Sequence, residues 1–248
     1  MKKKDTMQEE RMENIEGFLR GAANALGVEL FPAQTDAFQK YMKLLLDWNK
    51  KMNLTAITEP RDVVIKHFAD SLTVLTAVEL KRGARVIDVG TGAGFPGIPL
   101  RIAREDLQMT LLDSQQKRLD FLQEVCKKIR ITADAVHARA EEAGREKAYR
   151  MKFDLAVSRA VAPLNVLCEY CMPFVRMGGV FVAMKGPGAQ EEIEQAHKAI
   201  QELGCELVES KKLMLLDGSQ RILVVCQRTK GLSGEYPRHG SKIAKKPL

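Results

Sequence analysis

The chain has 248 residues, of which 45% are hydrophobic and 29% charged, and its formal net charge at pH 7 is +7. This composition is typical of a globular protein with one α/β core and an additional region. It excludes a membrane-spanning chain, because no apolar run reaches the roughly 18 residues that cross a bilayer. The start MKKKDTMQEERMEN has lysines but no apolar segment, so we expect a cytoplasmic protein without a signal peptide.

The first region, residues 1–80, has the apolar spacing of helices. MENIEGFLRGAANALGV places Ile15, Phe18 and Leu26 on one face at helical intervals. PAQTDAFQKYMKLLLDWNKK follows Pro32, a residue suited to the first turn of a helix, and EPRDVVIKHFADSLTVLTAV repeats the pattern. We therefore predict a helical N-terminal region.

The second region, residues 81–230, alternates short apolar runs with helical segments. Strands are predicted at RVIDVG, QMTLLD, ADAVHA, FDLAVS and GGVFVAMKG. This alternation predicts an α/β fold with a mostly parallel sheet covered on both faces. CELVESKKLML and SQRILVVCQR are joined by the turn sequence LDGS without a helix, so an antiparallel hairpin is expected to end the sheet.

The five cysteines are an odd number without a disulfide pattern. Cys168 and Cys171 form C-x-x-C, but no second pair completes a metal site, so we predict core packing and no metal. The end of the chain is basic. The stretch from Arg228 onward contains six Lys and Arg residues and one acidic residue, Glu235. Residues 231–248 are therefore predicted to form a basic tail, and their charge favours a polyanionic partner.

The stretch RVIDVGTGAGFPGIPL runs from a predicted strand into a glycine loop. Gly90, Gly92 and Gly94 give G-x-G-x-G directly after the strand, whereas the dinucleotide spacing would start at Gly92 and end at Gly97. The dinucleotide register starts too late, because Gly90 already ends the strand. Both registers imply a ligand close to the backbone.

Two carboxylates help to choose the ligand. Asp88, beside Gly90, would repel a pyrophosphate and suit the ammonium and sulfonium of S-adenosylmethionine. Asp113, at the end of the next strand, suits ribose hydroxyls, which a nicotinamide dinucleotide also has. Either residue could instead cap a turn. A methyltransferase is therefore favoured over a nicotinamide oxidoreductase. The methyl acceptor stays open between an RNA, a protein and a small molecule, and a non-catalytic RNA-binding module is a further alternative.

Several stretches together resemble one family, the small-subunit (16S) ribosomal RNA guanine-N7 methyltransferases, also called RsmG or glucose-inhibited division protein B. The resembling segments span nearly the whole chain: WNKKMNLTAIT, HFADSL, DVGTGAGFPGIPL, LLDSQQKRLDFL, HARAEE, FDLAVSRAVAPL, GGVFVAMKG and YPRHGSKIAKKPL. The resemblance implies a class I S-adenosylmethionine-dependent methyltransferase, Rossmann-like, that acts on a guanine in a loop of 16S rRNA or of the small ribosomal subunit.

The resemblance also implies site residues. The loop from Gly90 to Phe95 would hold S-adenosylmethionine, where Phe95 replaces the leucine that is frequent in the family. Ala140 and Glu141 would contact its adenosine, and Arg159 would lie beside the cofactor and the incoming base.

Residue chemistry adds two expectations. His67 and His137 are predicted to be structural, because guanine N7 carries a lone pair and no proton, so its methylation requires no general base. The predicted RNA-binding residues are basic side chains after the fifth strand and near the chain end: Lys185, Arg238, Lys242, Lys245 and Lys246.

Overall fold

The computed structural model describes residues 15–248. The basic start MKKK and the first three residues of the predicted N-terminal helix lie outside the described residues. The predicted helices are confirmed where they are described: residues 15–24 form α1 and Pro32–Met52 form α2. The third consists of α3 (Pro60–Val63), a π-helical turn (Val64–Ala69), α4 (Asp70–Leu72) and a 3₁₀ turn (Thr73–Thr76).

The remaining chain forms a seven-stranded sheet and its covering helices. The strands are β1 (Arg85–Val89), β2 (Gln108–Asp113), β3 (Asp134–His137), β4 (Phe153–Arg159), β5 (Val175–Lys185), β6 (Cys205–Met214) and β7 (Gln220–Arg228). The helices are α5 (Gly97–Ala103), α6 (Gln116–Ile129), α7 (Ala140–Ala143), α8 (Leu164–Cys171), α9 (Ala189–Glu202) and α10 (Gly240–Lys245). Met172–Phe174 form a short 3₁₀ turn.

The strand order is β3-β2-β1-β4-β5-β7-β6. Neighbours from β3 to β5 pair in parallel, and β7 pairs antiparallel with both β5 and β6. The predicted parallel sheet that ends in an antiparallel hairpin is therefore confirmed. The carboxyl ends of β1, β2 and β4 meet at one edge, where open α/β sheets bind ligands.

Two buried layers cover the sheet. One layer combines Leu19 of α1, Phe38 of α2 and Phe68 of the π-helical turn with Val86 of β1 and Ile98 of α5. The N-terminal helices therefore share a core with the sheet, and the predicted boundary at residue 80 does not separate two cores. The opposite layer is built by α8 and α9 and contains Cys168 and Cys171, both fully buried as predicted.

The segment after residue 230 packs against the sheet domain. Tyr236 and Ile243 are buried, and Arg238 forms an ion pair with Glu169 of α8 at 2.6 Å. Arg228, where the basic stretch begins, is 1% exposed and donates hydrogen bonds to backbone carbonyls. The guanidinium groups of Arg228 and of Arg238, which was predicted to bind RNA, are therefore both used inside the fold, and the predicted basic tail is packed on the fold where Arg238 lies.

Residues 15–248 contain no helix with the length and apolar character that a membrane crossing requires. Within the same part of the chain, no three His, Cys, Asp or Glu side chains are grouped so that they could hold a metal ion.

Candidate active site

A cavity of about 450 Å³ opens at the carboxyl ends of the parallel strands. It brings together seven of the nine residues predicted to hold the cofactor: Gly90, Gly92, Phe95, Asp113, Ala140, Glu141 and Arg159. The other two are not in the lining: Asp88 lies beneath the glycine loop, and Gly94 belongs to the loop but packs against the core. The N-terminal helical region contributes Leu54, Thr55 and His67 to the same cavity.

The glycine loop is fixed from below by backbone and side-chain hydrogen bonds. The Gly90 and Thr91 amides donate to the Leu112 carbonyl of β2 at 2.9 and 3.0 Å. The Tyr41 hydroxyl of α2 donates to the Ala93 carbonyl. Because α2 and β2 both hold the loop, its shape is set by the helical region as well as by the sheet.

Asp113 lies at the β2 end of the cavity and is 3% exposed. Its Oδ2 accepts the Gly92 amide at 2.9 Å, and its Oδ1 accepts the Gln115 amide at 2.9 Å. Arg118 lies 3.4 Å from the same carboxylate. Asp113 therefore orients the loop and still presents carboxylate oxygens to the cavity.

Asp88 is a correction. Its carboxylate is fully buried beneath the loop, where Oδ2 accepts the Thr91 hydroxyl at 2.7 Å and the Gly97 amide at 2.8 Å. Asp88 therefore joins the loop to the start of α5 and does not reach the cavity. Its Oδ1 finds no hydrogen-bond partner among residues 15–248. Burial raises the pKa of Asp88 from 3.8 to about 6.

This raised pKa predicts a pH dependence of stability. Because the folded protein binds the Asp88 proton more tightly than the unfolded chain, the free energy of unfolding should fall as pH rises from about 4 to about 6, by at most about 1.4 kcal/mol per pH unit. Asp88→Asn should flatten this dependence, whereas a substitution of the exposed Asp134, Asp134→Asn, should preserve it. Urea unfolding between pH 4 and 7.5 measures the effect, and equal slopes in wild type and Asp88→Asn would contradict it.

Ala140 and Glu141 form the first turn of α7, which follows β3. Both line the cavity on the side of Asp113. The C-terminal segment packs directly behind this turn, because a Cβ placed on Gly240 would lie 2.1 Å from Oε1 of Glu141. The C-terminal segment therefore supports the turn that carries Glu141.

Arg159, at the end of β4, is held on the other side of the cavity. Its Nη1 donates to the Lys66 carbonyl of the π-helical turn at 2.8 Å and to Asp70 at 2.9 Å. Asp70 is 2% exposed and also pairs with Arg221 of β7 at 3.1 Å. The guanidinium carbon lies 5.0 Å from the ring centre of Phe95. Arg159 is therefore fixed at the cavity wall by three elements.

The two histidines differ in position. His67 lines the cavity and stacks on Phe95, with ring centres 4.4 Å apart. Burial, and then the charge of Arg159, lower the pKa of His67 to about 3. His137 is exposed, lies outside the cavity lining and contacts the Ser114 carbonyl at 3.1 Å. The structural role predicted for His67 omitted its place in the cavity wall.

Lys185 is a second correction among the predicted RNA-binding residues. Its Nζ donates to the Ala162 carbonyl and to Glu192, each at 2.7 Å, and its side chain is only 10% exposed. It therefore joins the end of β5 to α9 and to the loop after β4, and it is not available to a phosphate. Lys242, Lys245 and Lys246 are exposed in and after α10.

Sequence reasoning missed four residues that build this site: Tyr41, Thr55, Asp70 and Tyr170. Tyr41 and Asp70 act from behind the cavity wall through partners 52 and 89 residues away. The only available signal was the segments WNKKMNLTAIT and HFADSL, which contain Thr55 and Asp70.

The residues present fit S-adenosylmethionine. A Cβ added at Gly92 would lie no closer than 3.9 Å to any atom of residues 15–248 outside its chain neighbours, so the loop leaves room above its backbone. Asp113 and Glu141 offer carboxylate oxygens to hydroxyl and amine donors on one side of that space. The glycine loop, Asp113 and Glu141 would therefore hold this cofactor.

Comparison with known structures identifies the fold. An S-adenosylmethionine-dependent O-methyltransferase of Thermotoga maritima matches with a TM-score of 0.50 at 17% identity, covering 76% of this chain and 72% of that one. Precorrin-6y C5,15-methyltransferase of Geobacter metallireducens matches with a TM-score of 0.50 at 13% identity, covering 64% and 87%. These matches confirm the class I methyltransferase fold.

Comparison with known sequences identifies the family. The family model described as rRNA small subunit methyltransferase G, or GidB, matches residues 34–222. Ribosomal RNA small subunit methyltransferase G of Alkaliphilus oremlandii is 50% identical over 237 residues, covering 94% of this chain and 99% of that relative. The protein of the same name from Desulforamulus reducens is 48% identical, covering 93% and 97%.

These relatives decide between the alternatives that the glycine loop left open. The chain is a methyltransferase that uses S-adenosylmethionine, and the nicotinamide oxidoreductase and the non-catalytic module are excluded. The family model matches residues 34–222, and the named relatives match nearly the whole chain. The chain therefore belongs to the rRNA small subunit methyltransferase G family.

Proposed function

We propose that this chain transfers the methyl group of S-adenosylmethionine to N7 of a guanine in a loop of 16S rRNA, in the cytoplasm. The observation that carries the proposal is that both ring nitrogens of His67, the histidine in the cavity wall, have partners: Nε2 lies 2.8 Å from the Thr55 hydroxyl and Nδ1 lies 3.1 Å from Arg159. Burial also lowers the pKa of His67 to about 3, so this histidine is a poor general base at neutral pH. N7 has an available lone pair and no proton, so this acceptor suits a site without such a base.

The chain's own residues then act by binding and orientation. When bound, S-adenosylmethionine supplies a methyl group on a positively charged sulfur, which is the electrophile. The glycine loop and Asp113 hold one side of the cavity, and Arg159 with Phe95 shapes the side where a base enters. Such positioning supplies on the order of 7 kcal/mol of the barrier reduction.

The substrate must expose N7. Duplex RNA hides N7 in a deep, narrow major groove, so an unpaired or outward-turned guanine is the proposed target. 16S rRNA, either free or in the small ribosomal subunit, is the proposed partner. A different RNA, a protein or a small molecule is the alternative acceptor.

Methylation in vitro tests the proposal. The purified protein is incubated with S-adenosylmethionine and with 16S rRNA or small subunits from cells that lack it, and nuclease digests are analysed by mass spectrometry. The expected product is 7-methylguanosine at one position of 16S rRNA. A methyl group on another nucleobase atom, or only on protein, would contradict the proposal.

The exposed lysines of the C-terminal segment are proposed to contact RNA phosphates. Replacing Lys242, Lys245 and Lys246 with Gln should weaken RNA binding. The slope of log affinity against log salt should flatten by about 0.7 to 0.9 for each lost phosphate contact. The affinity for S-adenosylmethionine should not change. Lys127→Gln/Lys128→Gln, at the exposed end of α6, is the control; a similar flattening there would show a nonspecific charge effect.

A further inference from the structure

Thr55 places a hydroxyl group in the cavity wall from the loop after α2. Its backbone is fixed to that helix by Asn49, because the Asn49 Nδ2 donates to the Thr55 carbonyl and the Thr55 amide donates to Oδ1, each at 2.8 Å. The loop therefore holds the Thr55 side chain at a defined position.

The hydrogen bonds around this hydroxyl use its lone pairs. A threonine hydroxyl has one proton to donate and two lone pairs that accept. The Ile57 amide donates to the Thr55 Oγ1 at 3.0 Å, and the His67 Nε2 lies 2.8 Å from the same oxygen. Which of these two atoms donates depends on the tautomer of His67.

Arg159 sets that tautomer. Its Nη2 lies 3.1 Å from the Nδ1 of His67, and a guanidinium group only donates, so Nδ1 must accept. Nδ1 also lies 3.1 Å from the Lys66 carbonyl, which accepts the Arg159 Nη1 at 2.8 Å. A proton on Nδ1, donated to that carbonyl, would face the N–H of the Arg159 Nη2, so the contact with Arg159 favours an unprotonated Nδ1. The depressed pKa of His67 leaves a single ring proton, which is then on Nε2 and is donated to Thr55.

Both lone pairs of Thr55 are thus occupied, which leaves its proton for an acceptor in the cavity that Thr55 lines. Thr55, His67 and Arg159 line the cavity on the β4 side, opposite Asp113 and Glu141, which would hold the cofactor. The acceptor next to this cluster therefore belongs to the base. O6 of guanine accepts a hydrogen bond beside N7, whereas adenine carries a donor amino group there.

We propose that the Thr55 hydroxyl donates a hydrogen bond to O6 of the target guanine and so distinguishes guanine from adenine, with His67 and Arg159 as positioning residues. This assignment rests on the proposed function, in which guanine N7 is the acceptor. A bond to O6 leaves the N7 lone pair free for the methyl group.

Base analogues test the assignment. Synthetic target RNA carries guanine, inosine or 2-aminopurine at the methylated position, and 2-aminopurine keeps N7 but lacks O6. Wild type should methylate guanine and inosine with a kcat/KM roughly 5- to 100-fold above that of 2-aminopurine, because the analogue leaves the hydroxyl unpaired. Thr55→Val should lose this preference and keep its S-adenosylmethionine affinity, and Thr55→Ser should restore the preference.

A second measurement does not depend on activity. Nitrogen-15 NMR of the full-length wild-type protein, labelled at histidine, should show His67 neutral with its proton on Nε2, and Arg159→Met should remove this bias. A proton on Nδ1 in the wild type overturns the proposal. It is also overturned if Thr55→Val keeps the guanine preference or instead loses affinity for the cofactor. A wild-type protein that methylates no guanine N7 refutes the proposed function itself.

Discussion

Arg238→Ala is expected to lower the free energy of unfolding by about 3 to 5 kcal/mol, because it leaves a buried carboxylate without its charged partner. Glu169 of α8 has a side chain that is 1% exposed. Its two oxygens accept the Arg238 backbone amide at 2.7 Å, Nε at 2.9 and 3.1 Å, and Nη2 at 2.6 Å. After the substitution only the backbone amide remains to compensate this charge.

The reciprocal substitution should have a smaller effect. Glu169→Ala leaves a guanidinium group whose side chain is 11% exposed and lies at the edge of the fold, so it can turn toward water. The double variant Glu169→Leu/Arg238→Met should recover most of the stability, since well-packed apolar pairs replace buried ion pairs at little cost.

Urea unfolding of wild type, the two alanine variants and the double variant measures these differences in the free energy of unfolding. Proteolysis of the C-terminal segment shows whether the loss is local or global. A free energy of unfolding for Arg238→Ala within 1 kcal/mol of wild type would mean that the segment after residue 230 contributes little to the fold, as a free tail would.

This ion pair also shows where sequence reasoning reached its limit. A count of charges found the basic stretch after Arg228 but could not find Glu169, which lies 69 residues before Arg238 in the chain. Lys185 was misjudged for the same reason, since its partner Glu192 is on the following helix. A count of Lys and Arg residues therefore predicts a side chain available to RNA only where no carboxylate of the folded protein pairs with it.

Asp88 was misplaced for a geometric reason. Successive side chains of a strand point to opposite faces, so Asp88 lies on the same face as Val86, which is the face covered by α2 and α5. Alternation in RVIDV therefore contained the information that Asp88 points beneath the loop toward Gly97. Proximity of Asp88 to Gly90 in the sequence therefore does not imply proximity of its carboxylate to the ligand.

The sheet was predictable because each strand carries a local pattern of apolar residues. The segments between the predicted strands are long enough for a helix, except at LDGS. The short connection at LDGS predicts the hairpin. The wall formed by Thr55, His67 and Arg159 was not predictable as a unit, because contacts such as that between His67 and Arg159 join residues 92 positions apart. The resemblance to a family placed Arg159 beside the cofactor, but it did not place Thr55 or His67 there.

Two glycines that look equivalent in the loop are expected to have different roles. A Cβ on Gly94 would lie 2.7 Å from Leu122 Cδ2, 2.7 Å from the Tyr41 hydroxyl and 2.8 Å from Ile98 Cγ1, and its φ is +98°. A Cβ on Gly92, whose φ is +59°, would have one neighbour within 4 Å among the described residues, the Gly90 carbonyl at 3.9 Å. Gly94 therefore packs against the core, whereas Gly92 faces the cavity.

Gly94→Ala should accordingly lower the free energy of unfolding by about 2 to 5 kcal/mol, through overpacking and the left-handed backbone, and displace the loop that Tyr41 holds. Gly92→Ala should lower it by only about 1 to 2 kcal/mol, from the backbone alone. It should still weaken S-adenosylmethionine binding, because the new methyl group occupies space above the loop. Urea unfolding and calorimetric titration separate the two effects. If Gly94→Ala is as stable as wild type, or if Gly92→Ala binds the cofactor with wild-type affinity, this division of roles within the loop is wrong.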